Sequence, residues 1–60
     1  MTVYAVFKTR WNPDSNYDET FLIDIYSNEQ TAMEKCVGYN ICHNNSESFL
    51  FYEDYIIKED

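Results

Sequence analysis

The chain has 60 residues, with eleven acids against four bases for a net charge of −7, and 45% hydrophobic and 18% aromatic residues. A chain this short holds one domain, taken here as residues 1–60, with a marginal core; that excludes a bilobed enzyme, a nucleotide-binding βαβαβ unit and a repeat array. The acidic balance sets the chain against phosphate, so no direct nucleic-acid or membrane binding is expected, and the aromatic content argues against disorder.

Residues 2–11 (TVYAVFKTRW) alternate with period two, the pattern of a strand. Val3, Ala5, Phe7, Thr9 and Trp11 share one face. Tyr4, Val6, Lys8 and Arg10 share the other, which turns charged toward its end as an uncovered face would. The longest unbroken apolar run is residues 3–7, far short of the roughly 20 needed for a membrane helix. The N-terminus has no basic segment leading into an apolar one, so a cytoplasmic location with reduced thiols is expected.

Residues 12–19 (NPDSNYDE) read as a loop, with Pro13 fixing φ and Asp14 and Asn16 able to make side-chain turns. It is longer than a hairpin needs and carries three acids beside an exposed Tyr17. Residues 20–26 (TFLIDIY) form a second strand, paired with the first as a hairpin. Asp24 must point to solvent, which assigns Phe21, Ile23 and Ile25 to the buried face.

A helix follows over residues 28–41, with Ser27 as N-cap, Gln30 completing a capping box and Glu29 in the first turn. Ala32, Met33, Cys36 and Tyr39 form its apolar stripe, widened by Val37 and Ile41. Gly38 weakens the helix by about 1 kcal/mol relative to Ala and leaves room for close approach to the sheet. Asn44 and Asn45 end the element. Residues 48–58 (SFLFYEDYIIK) form the third strand. Phe49, Phe51, Tyr55 and Ile57 share a face with Glu53 among them, which implies a bulge or bend at Glu53 and Asp54, with residues 55–58 as a short continuation. Leu50, Tyr52 and Ile56 make the other face apolar too, as in a central strand or a subunit interface. The expected fold is α+β: a three-stranded antiparallel sheet in ββαβ order with one helix packed on one face.

The VYAVF strand, the acidic turn, the second strand running into IYSNEQTA and the closing YEDYIIKED resemble a family of small ββαβ domains common in bacterial and phage genomes. The junction of Tyr26, Ser27, Asn28, Glu29 and Ala32 is similar to that family's aromatic–Ser–polar pair–Ala pattern. The resemblance implies the fold and no chemistry. The Asn- and Tyr-rich composition likewise resembles small early phage proteins, which would place the chain in a host cytoplasm.

The chemistry-bearing residues are few. Cys36 and Cys42 lie about 9 Å apart along a helix, too far for a disulfide. With His43 they fall short of a zinc site. Asp14, Asp18 and Glu19 lack the spacing and central Gly of a calcium loop. His43 and Cys42 diverge by about 100° on a helix and do not pair for catalysis, leaving His43 to interact with the last carbonyls. Asn44, Asn45 and Ser46 spell a glycosylation sequon, inert without secretion. No catalytic residue, cofactor or metal is therefore expected, and the chain is read as no enzyme. Trp11, Tyr4, Tyr17 and Tyr26 offer more ring surface than so small a core hides. The acidic, aromatic set of Asp14, Tyr17, Asp18, Tyr52, Glu53, Asp54 and Tyr55, with Glu59 and Asp60 beyond it, is the candidate partner-binding surface. The expected function is a small protein-binding module, an inhibitor or adaptor of a host or defence protein that occupies a basic or neutral surface. The alternative is a domain that associates only with itself. A homodimer alone supports that alternative, and a monomer that co-purifies with a host protein supports the first reading. The two are not exclusive, and a homodimer is expected.

Overall fold

The structure, a computed structural model, describes residues 1–43 and 48–58. Strand β1 (Thr2–Asn12) turns into β2 (Tyr17–Tyr26), helix α1 (Glu29–Cys42) follows, and β3 (Ser48–Ile56) closes the chain. The sheet order is β2-β1-β3 with both pairings antiparallel, so β1 is central and the fold is ββαβ as expected. The sequon residues Asn44, Asn45 and Ser46, and the acids Glu59 and Asp60, lie outside the described residues.

The hairpin is tighter than its sequence suggests. Tyr17, Asp18 and Glu19 belong to β2, leaving only residues 13–16 as the turn. Asn12 supplies the side-chain turn expected of Asp14 and Asn16, its Oδ1 accepting from the N–H groups of Asp14 at 3.0 Å and Ser15 at 3.4 Å. Asn16 takes a left-handed φ of 57°, which Asn tolerates, and its N–H donates to the Asn12 carbonyl at 2.8 Å. Asn12 Nδ2 then donates to Glu19 Oε1 at 2.7 Å, beside an Arg10–Glu19 ion pair of 3.2 Å.

A bulge lies opposite Val6 and Phe7, where Asp24 pairs with Val6 and Leu22 with Phe7, leaving Ile23 as the extra residue. It overturns the face assignment of β2. Phe21, Ile23 and Ile25 are all exposed, and Asp24 lies on the side of Val6 and Tyr26. The expected bulge in β3 is absent: its register with β1 is continuous from Thr2–Ile56 to Arg10–Ser48, and Glu53 simply sits among the apolar residues of its face. Nor is β3 central; it is an edge strand.

Helix α1 covers the opposite face of β1 from the one expected. Ala32 and Cys36 pack on Val6 and Leu50, ringed by Tyr4, Tyr26, Tyr39 and Tyr52. Two small residues one turn apart let the helix settle onto the sheet, and Val6, 1% exposed, is the largest fully buried side chain. Lys8 does not expose this face: its ammonium lies 5.6 Å from the centre of the Tyr39 ring. The Tyr39 and Ser48 hydroxyls share a 2.9 Å hydrogen bond, tying the end of α1 to the start of β3. That bond, with the Lys8 charge, holds the Tyr39 phenol below its ordinary range.

The helix begins one residue later than expected. Asn28, not Ser27, is the N-cap, accepting from the Thr31 N–H at 3.3 Å. At the other end the His43 N–H and Nδ1–H both donate to the Tyr39 carbonyl at 2.9 Å, the helix-terminal role expected of it. Met33, expected within the apolar stripe, and Val37 and Ile41, expected to widen it, are all exposed. Gly38 is also exposed, with nothing near the place of a Cβ, so it makes no close approach. Cys36 and Cys42 are free thiols, Cys36 buried and raised in pKa by that burial. No helix among the described residues is long and apolar enough to cross a membrane.

Candidate functional site: the open face of the sheet

With α1 on the Tyr4 and Val6 side, no second layer among the described residues lies on the other side of the sheet. The molecule measures only 11 Å along its shortest Cα axis. The register sets the open face in rows across β3, β1 and β2: Glu53, Ala5 and Ile25; then Phe51, Phe7 and Leu22; then Phe49, Thr9 and Thr20. Tyr55 and Val3 extend it at one end, Trp11 and Asp18 at the other.

Its centre is aromatic. Phe7 and Phe51 stand opposite one another with ring centres 5.3 Å apart and planes 22° from parallel, and Phe49 lies 6.2 Å from Phe51. Val3 and Ala5, the small side chains of the central strand, are shielded by their neighbours and buried without a covering layer. The larger residues on the edge strands are not: Leu22 is 57% exposed, Ile25 52% and Phe49 50%. Exposed apolar patches are, as a general rule, found at interaction sites and ligand grooves.

Two pairs of polar groups on this face bond one another. The Thr9 and Thr20 hydroxyls share a 3.3 Å hydrogen bond, and the Tyr55 hydroxyl donates to Glu53 Oε2 at 2.7 Å. The carboxylate acceptor raises the Tyr55 pKa, because ionising the phenol would break the bond and set two negative charges together. No group of three metal-binding side chains occurs among the described residues.

The structure separates the acidic, aromatic residues singled out in the sequence. Asp14, Tyr17 and Asp18 lie at the hairpin end, where Asn12 pairs with Tyr17 and Trp11 with Asp18. Tyr52, Glu53, Asp54 and Tyr55 pair with Val6, Ala5, Tyr4 and Val3. At about 3.3 Å per residue the two groups stand about 17–30 Å apart along β1. They are split again by face, since Tyr52 and Asp54 lie on the helix side and Glu53 and Tyr55 on the open side. Tyr52 packs against the core and meets Tyr4 edge-on at 6.4 Å, so its ring is structural; Tyr17 is exposed. Tyr4 and Tyr26 are also core neighbours, with the Tyr26 pKa raised by burial and then by the nearby Asp24 charge.

The central residues of the open face, Phe7, Phe49, Phe51, Leu22 and Ile25, were not selected from sequence as a binding surface. Their signal was the apolar character of both faces of the third strand, which pointed to an interface without saying which face was free. No family model, curated protein or solved structure matches the chain. The functional reading therefore rests on this chain's own residues.

Proposed function

We propose that the chain is a protein-binding module that works by surface contact, with the open sheet face as its principal docking surface. The observation that carries this is the half-buried Phe7–Phe51 ring pair with exposed Leu22, Ile25 and Phe49 around it. Covering such a centre supplies the desolvated anchors on which protein interfaces depend. The acids at the two ends of the sheet leave this centre uncharged and supply long-range steering toward a basic or neutral partner.

In its finer form the proposal is an inhibitor or adaptor of a host or defence protein, phage-encoded and acting in the host cytoplasm, where an acidic body competes for a basic nucleic-acid-binding groove. The net charge of −7 supports that form. The test is capture of a partner by an immobilised chain. Leu22→Glu and Phe49→Glu should abolish capture while circular dichroism stays unchanged. Ile41→Glu, on the outer side of the helix, should retain it; loss of capture only with Ile41→Glu would move the surface to the helix. Neutralising Glu53 and Asp54 should slow association and flatten its salt dependence.

A further inference from the structure

We infer that the occupant of the open face is a second copy of this chain, packed sheet to sheet about a two-fold axis so that two helices lie outermost. This rests on the docking reading above and names its partner as another copy, in place of a host or defence protein at this face. Three observations lead to it.

The first is the shortage of core. Only Val3, Ala5, Val6, Ala32, Cys36 and Leu50 are buried hydrophobics among the described residues. A chain of this size with so few buried side chains gains from a cover that is always present, and a second copy is present wherever the chain is made.

The second is area. The three strands, spaced by about 4.8 Å and rising about 3.3 Å per residue over nine residues, span about 14 by 30 Å, a footprint of about 430 Å². Two such footprints, enlarged by the half-exposed side chains standing on them, reach the ~1,000–1,200 Å² at which specific interfaces begin. Two sheets stacked about 10 Å apart would bring each Phe7–Phe51 pair against the facing sheet.

The third is charge. A body of −7 repels its copy, yet the surface proposed for contact is its least charged. Its carboxylates among the described residues, Asp18 and Glu53, lie on opposite edge strands and in different rows, so a two-fold axis need not set like charges face to face. A charge-poor centre with a polar rim is the composition of homodimer interfaces.

Light scattering with sedimentation, run on the intact chain across micromolar to millimolar concentration, tests this. The expected mass is about 14 kDa, twice the 7.2 kDa of one chain, falling to one chain for Leu22→Glu with its circular dichroism preserved. Ile41→Glu should stay dimeric. A wild-type mass of one chain throughout overturns the inference, as does a dimer broken by Ile41→Glu and not by Leu22→Glu. If the chain is monomeric, binding of a hydrophobic dye by wild type and not by Leu22→Glu leaves the face open to a different protein. A monomer with no such dye binding defeats the docking reading as well.

Discussion

Asn40 holds the backbone of Leu50 by both ends: its Nδ2 donates to the Leu50 carbonyl at 3.0 Å and its Oδ1 accepts from the Leu50 N–H at 2.8 Å. The Ile57 N–H donates to the Met1 carbonyl, so odd-numbered residues of β3 face β1 and even-numbered ones face outward. The Asn40 amide thus occupies the place of a neighbouring strand at one position on an edge strand. That blunts the β3 edge where α1 crosses it and leaves the sheet face as the larger unfilled surface.

Replacing Asn40 by Ala should therefore destabilise the fold by about 2 kcal/mol, since two bonds to a partly buried peptide group are lost. Urea denaturation measures it. Asn40→Asp should recover little, because the carboxylate keeps the acceptor but opposes the Leu50 carbonyl. A loss of less than about 0.5 kcal/mol for Asn40→Ala would mean water replaces the amide freely.

Helix capping gives a second, local check. Asn28→Ala should cost about 1 kcal/mol and lower helicity, whereas Ser27→Ala should stay within about 0.5 kcal/mol. The reverse ranking would place the cap where the capping-box pattern alone puts it.

The strand and helix order was legible because each segment has one dominant period. Which face of the sheet the helix covers was not. On β1 both faces begin apolar, with Val3 and Ala5 on one and Tyr4 and Val6 on the other, and the charges of Lys8 and Arg10 argued for the wrong one. Lys8 rests its charge near the Tyr39 ring and so does not mark an uncovered face. On β2 the bulge at Ile23 breaks the period, and no Gly announces it. The candidate site failed to cluster for a topological reason. With β1 central and both neighbours antiparallel, the turn at Asp14 and the acids at Glu53 and Asp54 are sent to opposite ends of the sheet.

Glu19 makes the hairpin end sensitive to acid. The Asn12 amide first, and the Arg10 guanidinium second, hold its carboxyl below the ordinary value of 4.5. A depressed folded pKa stabilises the fold above 4.5, and this contribution is lost as pH falls through the lowered value. Wild type should therefore lose stability more steeply than Glu19→Gln below pH 4.5. Parallel curves for the two would show that the carboxylate is not held differently in the folded chain.

Salt should act in the opposite sense. Among the described residues there is one ion pair, Arg10 with Glu19, and it is partly exposed, while the net charge is −7. Screening relieves more repulsion than it costs in attraction, so about 0.2 M salt should raise the melting temperature and favour the proposed dimer. A flat response would mean local pairing offsets the global repulsion.

The central claim, that a second copy covers the open sheet face and not the outer side of the helix, is tested most directly by methyl NMR with a soluble paramagnetic agent. Leu22 and Ile25 on the sheet and Ile41 on the helix are 57%, 52% and 69% exposed in the single chain, so an isolated molecule would show all three strongly relaxed. We expect the Leu22 and Ile25 methyls to be protected in the concentrated protein while Ile41 relaxes fully. Equal relaxation of all three at the highest attainable concentration, or protection of Ile41 alone, would contradict it.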